Sequence, residues 1–286
     1  ADPKEKHLTN LRQLTFGGQN AEAYWSRDGK KIVYQTRQPE FPDEQIFVMD
    51  ADGSNKTLVS TGLGRCTCSY ISPDFKSIYF SSTHGVNPGA QKPVDMSKGY
   101  VWMVNPDFDV YRTSAKPFLQ GKRPSQPQYE KILDVAGYVA ETTIAPNNRY
   151  MTFTMTLNGD LDIYRSNLDG SNLKRLTDEP GYDGGPFVSW DSKHIVYRRD
   201  RIDNDSELAD FRALLKEHLV RPSKLEIWIM EADGSNKKQV TNLGAASFAP
   251  FLHPDGKRII FCSNYGDPRG REFDLFMINV DGTGLE

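Results

Sequence analysis

Two glutamates hold the same place in a recurring pattern. Glu22 stands four residues ahead of the turn Ser26-Arg27-Asp28-Gly29, and Glu141 four ahead of Ala145-Pro146-Asn147-Asn148. Cys68, Gly185 and Ala249 hold that place ahead of three further turns, with Asn20 and Asp183 close by in sequence. Brought to one axis, these positions offer hard oxygen ligands. Glu22 and Glu141 are then the pair a divalent cation would use, calcium being the natural candidate. The same ring of polar groups, hydrated and hydrogen-bonded within itself, needs no ion. Further candidates follow the next apolar strand: His84, Arg198, Arg199, Asn264 and Tyr265. Arg198 and Arg199 alternate across a strand, so at most one reaches a given pocket. An arginine beside Glu141 or Asp183 reads first as a structural ion pair. His253 stands where other copies have Ser or Ala, and reads first as a turn cap. The expected ligand-binding set is therefore Asn20, Glu22, Glu141, Asp183, Arg198, His253 and Asn264.

Catalytic signatures are missing. There is no Gly-x-Ser-x-Gly elbow, no His-Glu-x-x-His, no phosphate loop and no Gly-x-Gly-x-x-Gly. The five histidines have no metal-pair spacing, and Cys66-Thr67-Cys68 lacks the second pair a zinc site needs. In a regular strand Cys66 and Cys68 point to one face, and with Cys262 they read as buried free thiols. The formal net charge is −3, which excludes the basic footprint of a nucleic-acid binder. No apolar run reaches the roughly 20 residues of a membrane helix. The start, Ala1-Asp2-Pro3-Lys4, carries no signal sequence, and small residues there fit the trace of one already removed.

What must position these residues is a repeat. Trp25–Tyr34, Ile71–Phe80, Ile144–Phe153, Val188–Tyr197 and Leu252–Phe261 each read as an apolar strand end, a Ser/Pro/Asp/Gly turn and an apolar strand. A second element, an alternating strand running into Asp-Gly, recurs as Gln45–Asn55, Asp162–Asn172, Glu226–Asn236 and Asp274–Gly284, with a degraded copy at Val101–Asp107. A third, short element recurs at Arg12–Thr15, Lys174–Thr177 and Lys238–Thr241, and more weakly at Thr57–Ser60. Four strands per unit, repeated, predict an all-β propeller of four-stranded blades, each covering its neighbour's faces. The units fall at about 9–60, 61–120, 121–178, 179–242 and 243–286, forming one domain over 9–286.

These residues resemble the WD40-like (PD40) repeat of TolB-like propellers. The stretches Gly181–Gly185 and Asn264–Asp274 resemble an exported bacterial subgroup without an established activity. The resemblance implies six blades, whereas the sequence shows five units. Either residues 12–15 complete the fifth unit and close a five-bladed ring, or they belong to a sixth blade. Three stretches depart from the repeat: a loop at 83–99, a bridge at 120–137 and an insertion at 200–223. The last carries a predicted helix, capped by Asp205 or Ser206, with Leu208, Phe211, Leu215 and Leu219 on one stripe and Pro222 as its stop. The resemblance implies a periplasmic or secreted, non-catalytic binding or scaffold protein of the cell envelope. Such a protein would engage a protein, peptide or small ligand at the channel mouth, alone or in a larger assembly. The alternative is a propeller enzyme, a saccharide lyase or hydrolase, or the accessory propeller of a peptidase.

Overall fold

The computed structural model describes residues 7–267 and 269–286. Ala1–Lys4, read for a removed signal, lie outside them. Blade 1 is β1 (Gln19–Trp25), β2 (Lys31–Arg37), β3 (Gln45–Asp50) and β4 (Thr57–Leu58). Blade 2 is β5 (Cys66–Ile71), β6 (Ser77–Ser82), then, after the short β7 (Trp102–Met103), β8 (Asp109–Ser114) and β9 (Glu130–Leu133). Blade 3 is β10 (Val139–Ile144), β11 (Met151–Leu157), β12 (Asp160–Ser166) and β13 (Lys174–Arg175). Blade 4 is β14 (Asp183–Val188), β15 (His194–Asp200), then, after β16 (Leu219–Val220), β17 (Leu225–Glu231) and β18 (Lys238–Gln239). Blade 5 is β19 (Ser247–Leu252), β20 (Arg258–Ser263) and β21 (Asp274–Asn279). Every blade is an antiparallel meander in chain order from axis to rim.

The repeated residues build repeated bonds. In the first turn of blade 1 the Ser26 hydroxyl donates to Asp28 (2.8 Å) and accepts from the Lys31 amide (2.9 Å); Ser72 and Ser189 do the same. The polar residue opening the third strand ties it to the outer strand. Gln45, Asp162 and Glu226 each accept from a hydroxyl, of Ser60, Thr177 and Thr241, and each hydroxyl accepts the next strand amide. Buried polar groups are thereby satisfied where the sheet edges meet the core. Between consecutive blades lie apolar cores, such as Ile46 and Val48 against Ile71 and Ile78, or Ile227 against Leu252 and Ile259.

That series of cores stops at the two ends. Leu275 repeats the position of Ile46, Val110, Ile163 and Ile227; those four are 0% exposed and Leu275 is 57% exposed. Trp25 repeats the position of Ile71, Ile144, Val188 and Leu252, none above 4%, and is itself 57% exposed. Thus the far face of blade 5 is bare at Leu275 and the near face of blade 1 is bare at its inner strand, although farther out Ile32, Tyr34 and Met49 are buried with Leu14; among the described residues no core joins the two blades. Residues 12–15 do not complete blade 5. The Asp-Gly turn of a blade lies on the outer strand of the blade before it: Gly170 on Ile132, Gly234 on Leu176, Gly282 on Val240. Gly53 of blade 1 lies on Leu14 in the same way. Meanwhile Glu286 exchanges both backbone hydrogen bonds with Met277 at 2.9 Å, and so occupies the edge of β21 itself.

The insertions differ from their sequence reading. Val101–Asp107 is not a third blade strand; Asp109–Ser114 is, and β7 instead pairs with β16, Met103 opposite Leu219 and Trp102 opposite Val220. Its apolar alternation serves this strap between the insertions of blades 2 and 4. The 120–137 bridge contains the outer strand of blade 2, preceded by a short helix α1 (Lys116–Leu119). The longer helix α2 spans Asp205–Lys216 and is capped by Asn204, whose side chain accepts from the Ser206 and Glu207 amides. It ends before Pro222, because His218 in the left-handed region (φ 59°) turns the chain into β16, which carries Leu219. Phe211 packs with Val104, Tyr138, Leu161 and Tyr182 over the axial end of blade 3.

Candidate functional site

Each inner strand breaks its register at one place. The pairing skips between Ala21 and Tyr24, Thr67 and Tyr70, Ala140 and Thr143, Gly184 and Phe187, and Phe248 and Phe251. The residue inside each bulge is left-handed: Glu22 (φ 50°), Cys68 (45°), Glu141 (61°), Gly185 (57°) and Ala249 (49°). These are the five positions aligned by sequence. A left-handed residue with a side chain costs roughly 1 kcal/mol or more. The bulge interrupts strand alternation and turns those side chains to the axis, where all five line one cavity of about 1080 Å³. Cys66 and Cys68 are free and buried as expected, with Cys262 half-buried, but the bulge overturns the expectation that Cys66 and Cys68 share a face. Cys66 faces Gln45 and Ser82 in the blade 1–2 core, while Cys68 enters the channel.

Glu141 is the most heavily bonded group of the cavity. Its carboxylate takes the Arg198 guanidinium, the Thr154 hydroxyl (2.5 Å), the Tyr182 hydroxyl (3.0 Å) and the Gly185 amide (2.8 Å). Arg198 also donates to the Tyr182 oxygen and lies over the rings of Trp102 and Tyr182, 5.5 and 5.1 Å from their centroids. Burial pushes the Glu141 carboxyl up, but Arg198 and the three hydrogen bonds outweigh it, so it titrates below the ordinary carboxylate range. The Arg198 charge is correspondingly secured, with Glu141 overcoming the effect of burial. Glu22 is bonded differently. Tyr24 donates its hydroxyl to one oxygen, and the Cys68 sulfur lies 3.9 Å from it. Burial, then Glu22, raise the Tyr24 and Cys68 pKa values, so both groups stay protonated. A protonated, buried Cys68 is no nucleophile.

Two residues beyond each bulge comes an aromatic in four of five blades: Tyr24, Tyr70, Phe187 and Phe251. Their rings meet across the axis, Tyr24 6.0 Å and Tyr70 5.9 Å from Phe187, and Phe251 4.9 Å from it, and narrow the channel there. On the other side the strap hangs over the mouth. Trp102 lies 5.1 Å from Phe248, which lies 5.2 Å from Phe273, and Tyr100 accepts from the Trp102 indole at 3.0 Å. The result is a chamber with an aromatic floor, an aromatic rim and carboxylates on its wall.

Of the residues singled out by sequence, the structure brings Glu22, Glu141 and Arg198 together. Asn20 is exposed on β1, its amide donating to the Gly17 carbonyl at 3.0 Å. Asp183 faces the blade 3–4 joint instead, 1% exposed, with Arg199 at 3.6 Å and no hydrogen bond to either carboxylate oxygen. Asn264 is buried, accepting from the Ala246 amide and donating to the Gly270 carbonyl. His253 sits in the β19–β20 turn and accepts from the Asp255 amide at 3.2 Å. His84 packs on Tyr111 outside the cavity. The calcium expectation does not fit this donor set. Glu141 is already neutralised by Arg198, and among the described residues no three acidic, His or Cys side chains form a metal-binding group. Sequence reasoning missed Thr154, Tyr182 and the strap aromatics. The aromatic recurring two places after the bulge was a readable signal; Trp102 had none, since only the β7–β16 pairing carries it to the mouth.

No family model matches the chain. A curated relative, an uncharacterised protein of Agrobacterium fabrum strain C58, is 23% identical over 146 residues, covering 50% of this chain but only 43% of the relative. Among solved structures, a putative TolB from Agrobacterium tumefaciens is similar with a TM-score of 0.62 and 19% identity, over 94% of this chain and 80% of that one. TolB from Acinetobacter baumannii gives 0.64 and 18%, over 94% of this chain and 53% of its own. An oligogalacturonate lyase in complex with manganese gives 0.57 and 13%, over 96% and 66%. No described helix is long and apolar enough to cross a membrane. The architecture of this chain is that of a TolB-like β-propeller.

Proposed function

We propose that the protein is a binding module of the bacterial envelope, periplasmic or secreted, that engages a protein or peptide partner through the strap-side chamber. The observation that carries this reading is how the chamber spends its polar groups. Glu141, Arg198, Tyr182 and Thr154 bond one another, and the one thiol beside Glu22 is held protonated. What faces the opening is mainly aromatic surface with a single carboxylate, the composition of a recognition pocket rather than an acid–base pair. Likeness in fold to TolB structures supports the reading, and likeness to a lyase propeller is one of fold.

A photo-crosslinking side chain at Ala249, exposed within the chamber, tests it against one at Lys56 on the outer rim. In an envelope extract the Ala249 position yields a discrete adduct and Lys56 does not. Adducts at Lys56 alone, or turnover of oligosaccharides or peptides by the purified protein, overturn the reading.

A further inference from the structure

The chamber's bonding pattern also specifies the charge of what enters it, and this step rests on the binding reading above. Four charged side chains line the cavity: Glu22, Glu141, Arg27 and Arg198. Glu141 and Arg198 neutralise each other. Arg27 lies beyond the aromatic floor, stacked on Trp190 at 4.2 Å in the turn-side mouth. Among the described residues, Glu22 is the one of these four that makes neither an ion pair nor a cation–aromatic contact. One of its oxygens accepts the Tyr24 hydroxyl, and the other accepts nothing from the described residues. The left-handed bulge at Glu22, kept despite its backbone cost, aims this carboxylate into the chamber.

The neutral surroundings point the same way. Tyr24 and Tyr70 line the chamber floor with their rings 6.2 Å apart, and Trp102 and Phe248 line its roof with theirs 5.1 Å apart. Aromatic faces attract cations through their quadrupoles, and methylene stems gain from lying along them. A carboxylate ligand would meet Glu22 and Glu141 together and find the Arg198 guanidinium already taken. A neutral ligand would bury Glu22 without a cationic partner, which is unfavourable.

We propose that the chamber receives a lysine or arginine side chain of the peptide partner, its cationic head on the Glu22 carboxylate and its stem among the Tyr24, Trp102 and Phe248 rings. The test is fluorescence polarisation of end-blocked pentapeptides, Gly-Gly-Xaa-Gly-Gly, with lysine, arginine, norleucine or glutamate at the centre. The lysine and arginine peptides bind about 10-fold or more tightly than norleucine, the value of a charge-assisted hydrogen bond, and weaken as salt rises. Glu22→Gln abolishes the preference for lysine over norleucine: the lysine peptide weakens, and the norleucine peptide tightens because it no longer buries an unpaired carboxylate. Glu22 is exposed, so this variant keeps the wild-type melting curve, and that curve is the control for folding. Equal binding of lysine and norleucine, or a Glu22→Gln protein that still prefers lysine, overturns the charge assignment while leaving the binding module intact. Absence of binding by all four peptides removes both.

Discussion

The Arg198 guanidinium of blade 4 meets the Glu141 carboxylate of blade 3 on the channel wall, with both side chains largely withdrawn from water. It is a joint between neighbouring blades as well as a wall of the chamber. Breaking one partner of a buried pair strands the other, at about 3–5 kcal/mol. Glu141→Gln and Arg198→Met are each expected to lower unfolding free energy by that order in urea titrations. The double variant loses clearly less than the sum, because no charge is then left unpaired.

Gly185 has a reason beyond its positive φ. A Cβ at this position would collide with the Arg198 guanidinium. Gly185→Ala is therefore expected to push Arg198 away from Glu141 and cost more than about 2 kcal/mol, combining strain with loss of the pair. Ala249→Gly, at the same place in blade 5 with no such neighbour, is expected to gain about 0.5–1 kcal/mol by relieving the left-handed backbone. Thermal unfolding of the two variants checks the contrast.

Asp183 predicts a pH dependence. Burial, aided by Asp162 and Asp160 and opposed by Arg199, raises its pKa well above the ordinary value. Asp162 beside it is pushed up to about 6 by burial and Asp160. The folded protein thus keeps protons that the unfolded chain releases. Their contribution to stability is full below the unfolded pKa of about 4 and is lost as pH rises through the higher folded values. Asp183→Asn keeps the shape without the unbonded charge. It is expected to gain stability relative to the wild type between pH 4 and pH 8, because over that range the unfolded wild-type chain releases a proton that folded Asp183 holds and the asparagine does not titrate. Denaturation curves at the two pH values decide.

Leu275 and Ile163 hold the same repeat position with opposite surroundings. Ile163→Ala opens a cavity between blades and is expected to cost about 2–5 kcal/mol. Leu275→Ala, on the bare face of blade 5, should stay within about 0.5 kcal/mol. Because bare apolar sheet faces associate, Leu275→Lys is expected to reduce self-association in sedimentation velocity; an unchanged distribution would falsify the exposed-face reading.

The repeat made most of the fold legible. Ser-x-Asp turns, Asp-Gly hairpins and apolar alternation are local signals, and each matched a local hydrogen-bond pattern, as at Ser26 and Asp28. Aligning the turns also placed Glu22, Cys68, Glu141, Gly185 and Ala249 at one position, and the structure gives all five the same left-handed bulge. Where local signals were read too simply, they misled. The alternating Val101–Val104 looked like a blade strand, and Cys66 and Cys68 looked like neighbours on one face.

By itself the sequence determined the class of fold, the repeat unit and which residues share a repeat position, because turn chemistry and period-two burial act over a few residues. Only the tertiary structure decided what those positions face. Arg198 reaches Glu141 across 57 residues of sequence, Trp102 reaches the mouth through its pairing with Val220, and Asp183 turns into the blade joint instead of the channel. These outcomes depend on bulges, on insertions from different blades and on the packing of neighbouring sheets, and none of those is written in the spacing of a single repeat.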